Sequence, residues 1–315
     1  MPLLLRESEV RHLLPMDEII DVMATALADF SAGTVAQPVR TVIEMGPERN
    51  YFGTMPAYLP SAAAAGAKLV TVCEGNLAKG MTSHLATILL LDPETGALRA
   101  MLDGRYITEA RTAAVSAVSA RYLSREDASK LAIIGSGVQA RSHLEALSHV
   151  RKLSEVRAYS PNRANLEAFC AEVNAKACAN VEETVAGADL IVVVTSAREP
   201  VVRSEWVAEG AHIMAVGACR PTHQELTGEL VARSSLYVDS RAAALKEAGD
   251  ILIPIAQGLF GPDHILAELG ERPKRESGSE VTLFKSLGMA VEDVAAANLV
   301  YGKALAAGIG VPFTL

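Results

Sequence analysis

One short stretch constrains this chain more than any other: Leu131-Ala132-Ile133-Ile134, an apolar run that breaks into Gly135-Ser136-Gly137-Val138-Gln139-Ala140. It predicts a buried strand, a glycine turn and the start of a helix. Such a turn leaves backbone N–H groups at the positive end of the helix dipole, where a pyrophosphate is stabilised. Gly-x-Gly-x-x-Ala alone is common in glycine-rich loops. Here a strand precedes it and a second strand, Val156-Arg157-Ala158-Tyr159, closes a unit of about 30 residues, the context a dinucleotide-binding turn requires. The first expectation is therefore a dinucleotide-binding domain.

At 315 residues the chain has room for two domains. Half of it is hydrophobic, rich in Ala, Val, Ile and Leu, which suits parallel strands buried on both faces. With 29 Lys and Arg against 37 Asp and Glu, the net charge of −8 argues against a nucleic-acid surface. The basic cluster Arg272-Pro273-Lys274-Arg275 is flanked by Glu271 and Glu276 and reads as a solvated loop. Cys73, Cys170, Cys178 and Cys219 lie far apart, so neither a zinc knuckle nor a disulfide framework is suggested. No signal peptide and no apolar run of about 20 residues is present, so the expectation is a soluble, cytoplasmic protein without a membrane partner.

In chain order, 8–33 reads as a helix with Asp17 as a cap candidate after Pro15 and an apolar stripe at Ile19, Ile20, Met23, Leu27 and Phe30. Strands are predicted over 40–45, 51–58, 67–73, 85–91 and 97–103, with a hairpin turn at Asp92-Pro93-Glu94-Thr95-Gly96. Five strands without intervening helices imply an antiparallel or mixed sheet, hence a second domain. A small-residue helix over 107–123 leads into alternating strands and helices: helices over 142–149 and 163–174, strands over 189–194, 211–217 and 235–239. Residues 256–280 read as loop-rich. A last helix, 290–307, with Val291, Val294, Leu299 and Leu305 as its buried side, should return to the first domain and make it discontinuous. The expected class is α/β, a doubly wound parallel sheet over 118–287 plus a split α+β domain over 1–117 and 288–315.

At the end of the second strand an NAD-binding domain usually places an acid for the ribose 2′-hydroxyl, about 20 residues after the glycines. Ser160-Pro161-Asn162-Arg163 stands there instead, and its hydroxyl, amide and guanidinium suit a 2′-phosphate, which favours NADPH with NADH second. The competing reading is that Arg163 only starts the next helix. Thr195-Ser196 and Val216-Gly217-Ala218-Cys219-Arg220-Pro221 fall at strand ends that line the cofactor crevice of such a sheet, or simply terminate strands. In the first domain Arg40, Lys68 and Arg111 sit inside apolar patterns, where a charge is costly unless paired. Two or three of them converging would bind a carboxylate; the alternative is surface charges on edge strands. His84, after Ser83, is more often a satisfied histidine than a catalyst. None of the seven histidines has a partner at triad or metal-ligand spacing.

Taken together, these residues resemble the ornithine cyclodeaminase and mu-crystallin family, and within it the ketimine reductase branch. The resemblance spans nearly the whole chain. It rests on Gln37-Pro38-Val39-Arg40-Thr41-Val42, Met55-Pro56-Ala57-Tyr58, Ile107-Thr108 with Arg111-Thr112-Ala113-Ala114, Gly137-Val138-Gln139-Ala140, Ala215-Val216-Gly217-Ala218, Tyr237-Val238-Asp239-Ser240, Ala244-Leu245-Lys246-Glu247 and Phe284-Lys285-Ser286-Leu287-Gly288-Met289-Ala290. It implies a Rossmann domain plus a split domain through which two chains form a homodimer. It further implies that Arg40, Lys68 and Arg111 hold a substrate carboxylate, with Ser83, His84 and Arg220 nearby and Glu247 as a pocket acid. Gly135, Gly137, Val138, Gln139, Ala140, Arg111, Thr112, Ser83, Ser160, Asn162, Arg163, Thr195, Ser196, Val216 and Ser286 would contact the cofactor.

One departure separates the family's activities. Cyclodeaminases carry an aspartate just after the Val-Gly stretch, where this chain has Cys219 followed by Arg220-Pro221. The resemblance therefore implies NADPH-dependent reduction of a cyclic ketimine carboxylate such as Δ1-pyrroline-2-carboxylate or Δ1-piperideine-2-carboxylate. The alternatives are ornithine cyclodeaminase, alanine-dehydrogenase-like reductive amination, and a crystallin-like protein that merely retains NADPH.

Overall fold

The apolar run at 131–134 lies in the strand Lys130–Ile134, four of whose five residues are buried, as befits a strand covered on both faces. In the computed structural model, which describes residues 1–46 and 50–314, this strand lies inside an eight-stranded sheet. Every pairing in that sheet is parallel. On one side of Lys130–Ile134 follow Glu155–Tyr159 and Lys176–Ala177; on the other follow Leu190–Val193, His212–Ala215, Thr282–Lys285, Ser235–Val238 and Ile265–Glu268. The strand order thus reverses between Lys130–Ile134 and Leu190–Val193, the place where doubly wound sheets bind ligands. Side chains alternate between two apolar cores. Leu131, Ile133, Leu190, Val192 and Met214 enter one, whereas Ala132, Ile134, Ile191, Val193 and Ile213 enter the other.

This sheet belongs to one of two compact units, Thr112–Gly288; the other comprises Met1–Arg111 and Met289–Leu315. The discontinuous unit is built on a mixed seven-stranded sheet. Its strands run, edge to edge, Val311–Pro312, Leu3–Leu5, Leu98–Asp103, His84–Leu91, Ala64–Val72, Asn50–Leu59 and Thr41–Met45. Only Leu3–Leu5 with Leu98–Asp103 is parallel. The turn at 92–96 forms because Asp92 Oδ1 accepts from the backbone of Glu94 and Thr95, both at 2.9 Å. Helices Met16–Ser31 and Ala290–Ala307 pack together, the latter also against the central strands.

Several expected elements differ. The single helix over 8–33 is two, Glu7–Leu13 and Met16–Ser31, because Pro15 cannot continue a helix. Pro15 itself holds the N-cap position of the second, and Asp17 lies in its first turn. The helix after the glycine turn is Val138–Ser148, beginning four residues earlier than its apolar pattern suggests. Leu305 is exposed, and the buried side of the last helix is carried by Val291, Val294, Ala296, Ala297, Val300 and Ala304. The short strands Leu3–Leu5, Val311–Pro312 and Thr282–Lys285 were not foreseen. Among the described residues no helix is long and apolar enough to cross a membrane.

Close approach of the paired strands Ala64–Val72 and His84–Leu91 depends on Gly66. A Cβ there would lie 2.4 Å from the Leu89 carbonyl oxygen and 3.4 Å from Val294 Cγ2. Gly66→Ala is expected to destabilise the protein by about 1–3 kcal/mol through overpacking, seen as an earlier urea-unfolding midpoint with an unchanged slope.

Candidate functional site

In the discontinuous unit, charge is buried around one carboxylate. Lys68 lies in Ala64–Val72, opposite Met55 and Ile88, and is 2% exposed. Its ammonium donates to Asp293 Oδ1 at 2.9 Å and to Thr108 Oγ1 at 3.3 Å, and lies 2.8 Å from Asp293 Oδ2. Arg111, in the helix Arg105–Leu123, donates through Nε to the same Asp293 Oδ1 at 2.9 Å and through a terminal nitrogen to Glu292 Oε2 at 2.8 Å. Glu292 and Asp293 occupy the first turn of Ala290–Ala307, where the helix dipole favours acids. Both are fully buried.

The electrostatics follow from that burial. Desolvation drives the Lys68 pKa down to about 8, with Asp293 opposing the shift and Arg111 and Arg40 adding to it. Desolvation also works against the Asp293 charge, but Arg111 and Lys68 outweigh it and hold the carboxyl below its ordinary range. Arg40, partly buried just before Thr41–Met45, is thus within electrostatic reach of the pair. The structure brings Arg40, Lys68 and Arg111 into one neighbourhood. Ser83 and His84 stand at the start of the strand His84–Leu91. Their side chains bond each other at 3.0 Å, and His84 pairs with Val72, four positions along the strand from Lys68.

In the Thr112–Gly288 unit the glycine turn forms as expected. Gly135 has φ +125°, and a Cβ there would lie 2.6 Å from the Val194 carbonyl oxygen, so only glycine fits. Gly137 is the N-cap of Val138–Ser148, with no side-chain cap and nothing within 4 Å of where a Cβ would stand. Space and uncapped backbone amides therefore coincide, which fits a pyrophosphate. Val138 is exposed, Ala140 is buried and Gln139 is partly buried. Ser160 is partly buried at the end of Glu155–Tyr159, Asn162 caps the helix Arg163–Val173 by accepting from Asn165 N at 3.0 Å, and exposed Arg163 pairs with Glu167 at 2.7 Å.

At the carboxyl ends of Leu190–Val193 and His212–Ala215 lie Thr195, exposed Ser196, and the segment Val216-Gly217-Ala218 with exposed Cys219. Thr195, Gly217 and Ala218 converge on Glu225, a residue that sequence reasoning missed. Buried Ser286 donates its backbone N–H to Ala215 O at 3.0 Å. The Arg220 carbonyl accepts from His223 and Gly249, both at 3.1 Å. Glu247 ends the helix Arg241–Glu247 and Thr112 is buried in Arg105–Leu123. Among the described residues no group of three His, Cys, Asp or Glu could hold a metal ion.

Asp293, Glu292, Asp250 and Lys285 were missed as well. Glu292, Asp293 and Lys285 did leave a signal, since they are charges inside otherwise apolar or small-residue elements. Asp250 left the same signal in the apolar helix Gly249–Ala256, whereas Glu225 left none, because it lies in a segment without helix or strand periodicity.

Comparison with known proteins follows the same outline. The model of the ornithine cyclodeaminase/mu-crystallin family matches residues 1–308. The rat ketimine reductase mu-crystallin is 46% identical over 309 residues, covering 95% of this chain and 96% of that protein. The structure of Thermococcus litoralis Δ1-pyrroline-2-carboxylate reductase in complex with NADH and L-proline superposes with a TM-score of 0.95 at 39% identity, covering 99% of this chain and 100% of that one. An archaeal alanine dehydrogenase dimer with bound NAD gives 0.94 at 34% identity, covering 99% of each.

Removing Asp293 would leave two buried cations short of a counter-charge. Asp293→Ala is expected to lower the unfolding free energy by about 3–5 kcal/mol, measured by chemical denaturation. A loss below about 1 kcal/mol would mean the cluster is solvated.

Proposed function

The chain belongs to the ornithine cyclodeaminase/mu-crystallin family, and from that membership we propose that it reduces the C=N bond of a cyclic 2-imino acid with NADPH. Δ1-Pyrroline-2-carboxylate would give L-proline and Δ1-piperideine-2-carboxylate L-pipecolate. The observation that carries this reading over deamination is Cys219. It stands exposed after Val216-Gly217-Ala218, where cyclodeaminases place an aspartate for the substrate amine. A cyclic ketimine is basic enough to arrive partly as the iminium, so its carbon accepts hydride without a strong enzyme acid.

In this proposal Arg40, Lys68 and Arg111 hold the substrate carboxylate. Lys68 and Arg111 pair with Asp293 and Glu292, and Arg40 lies within electrostatic reach of Lys68, so three cations stand in the neighbourhood where an anion would be received. The dinucleotide, when bound, supplies the hydride. Its pyrophosphate would lie over Gly135 to Ala140, and its 2′-phosphate beside Ser160, Asn162 and Arg163. The exposed Arg163–Glu167 pair is worth only about 0.3–0.5 kcal/mol, so a phosphate can recruit Arg163 from it. NADPH is placed ahead of NADH on that basis. Assembly as a homodimer is part of the proposal, supported by the exposed Val42 and Ile43 on the edge strand Thr41–Met45.

The deciding experiment follows absorbance at 340 nm with NADPH and each imine, then ornithine with NAD, then pyruvate and ammonium with NADH. No oxidation with either imine would sink the proposal; ammonia from ornithine would favour a cyclodeaminase, and turnover of pyruvate an alanine dehydrogenase. Arg40→Ala and Lys68→Ala should each weaken the imino acid at least about tenfold while leaving NADPH affinity intact. Because Lys68 titrates at about 8, its ammonium is complete well below that pH and lost above it. Inhibition by pyrrole-2-carboxylate, which keeps one charge across the range, should therefore weaken severalfold from pH 7 to pH 9, and a flat profile would show that Lys68 does not hold the carboxylate. Ser160→Asp should move the preference from NADPH toward NADH, and an unchanged ratio would mean the ribose pocket is elsewhere.

A further inference from the structure

Glu225 is fully buried, yet it lies in no strand or helix. Its carboxylate accepts four hydrogen bonds from two separate strand ends. Oε1 takes Thr195 N and Thr195 Oγ1, both at 2.8 Å; Oε2 takes Gly217 N at 2.7 Å and Ala218 N at 2.9 Å. Each oxygen thus serves one loop, and the carboxylate bridges them. The loops are also in direct contact, since a Cβ on Gly217 would fall 2.1 Å from the Thr195 carbonyl oxygen.

Glu225 is itself held from behind. Its carbonyl accepts from Val201 and Val202, at 2.8 and 3.0 Å, and its N–H donates to Asp250 Oδ1 at 2.7 Å. Asp250 also accepts from Leu226 N at 3.1 Å and pairs with the buried Lys285 ammonium at 3.0 Å. Burial works against the Lys285 charge, but Asp250 and Glu225 outweigh it and raise its pKa. Lys285 ends Thr282–Lys285, so one polar cluster ties the carboxyl ends of three neighbouring parallel strands. Two carboxylates and an ammonium are an expensive way to tie strands that the sheet already joins. The expense is intelligible at one place, the carboxyl edge beside the strand-order reversal, where a ligand needs loops in a fixed arrangement.

We propose that Glu225 is a positioning residue for the nicotinamide half of the cofactor: it fixes the Thr195 and Gly217–Ala218 loops against each other without itself touching the reacting atoms. This rests on the reading that the unit binds a nicotinamide dinucleotide. Four donors aimed at a carboxylate leave no acceptor to spare, so an amide in its place must turn an NH2 toward one loop's donors. That loop then moves, while the glycine turn, built on Lys130–Ile134 and Val138–Ser148, shares none of these bonds.

The test separates the two halves of the ligand. Dissociation constants of NADPH and of 2′-phospho-ADP-ribose, which lacks the nicotinamide, are measured by titration calorimetry for the wild type, Glu225→Gln and Thr195→Val, with NADH and ADP-ribose run in parallel. Glu225→Gln should bind the whole dinucleotide about tenfold more weakly and the fragment within about twofold of wild type. Thr195→Val, which removes one hydroxyl and keeps the backbone bond, should show the same split at smaller size, and it carries the test if the glutamine variant does not fold. Equal loss of both ligands would make Glu225 a structural residue, and unchanged affinity for both would remove it from the site; either result overturns the proposal. A wild type that binds none of the four nucleotides would instead overturn the dinucleotide reading on which it stands.

Discussion

A carboxylate with no access to water, Asp293, is what allows the discontinuous unit to keep cations in its interior. Lys68 and Arg111 come from a strand and a helix that are distant in sequence, and each alone would be an uncompensated charge in an apolar sheet. Asp293 accepts from both, and Glu292 beside it takes the other side of the guanidinium. Because the acids stand in the first turn of Ala290–Ala307, the helix dipole adds to their stability. The Lys68 pKa of about 8 is the residue of this balance, with burial ahead of pairing.

The Thr112–Gly288 unit also centres on a buried carboxylate, but with different neighbours. There the central group is Glu225, surrounded by neutral N–H and O–H donors rather than by cations, and burial pushes its pKa up to about 7 even with Lys285 nearby. One arrangement lets two cations stay buried in a mixed sheet; the other ties strand ends of a parallel sheet together.

How far the sequence could be read follows the range of the interactions involved. The glycine turn and the alternation of strands with helices were legible because each is a local pattern, and the parallel sheet they imply is the one observed. Arg40, Lys68 and Arg111 could be singled out because a charge in an apolar pattern demands a partner. Which partner could not be known: Asp293 is 225 residues from Lys68, and the buried side of the helix that carries it was read from Val291, Val294, Leu299 and Leu305 alone. Leu305 failed for the related reason that a hydrophobic residue near a helix end carries no information about what covers it. Pro15 was noted only as the residue before a cap candidate, although its own geometry was enough to divide the helix.

Because the first unit is made from both ends of its span, its electrostatics have a history. During synthesis Lys68 and Arg111 leave the ribosome long before Glu292 and Asp293, with all of 112–288 made in between. Until the last helix emerges, the strand that carries Lys68 has no counter-charge and cannot close around it, whereas the uninterrupted second unit already has every residue it needs. Translation order thus makes the sheet with the glycine turn the first body able to complete, and the ion-paired cluster of the other the last.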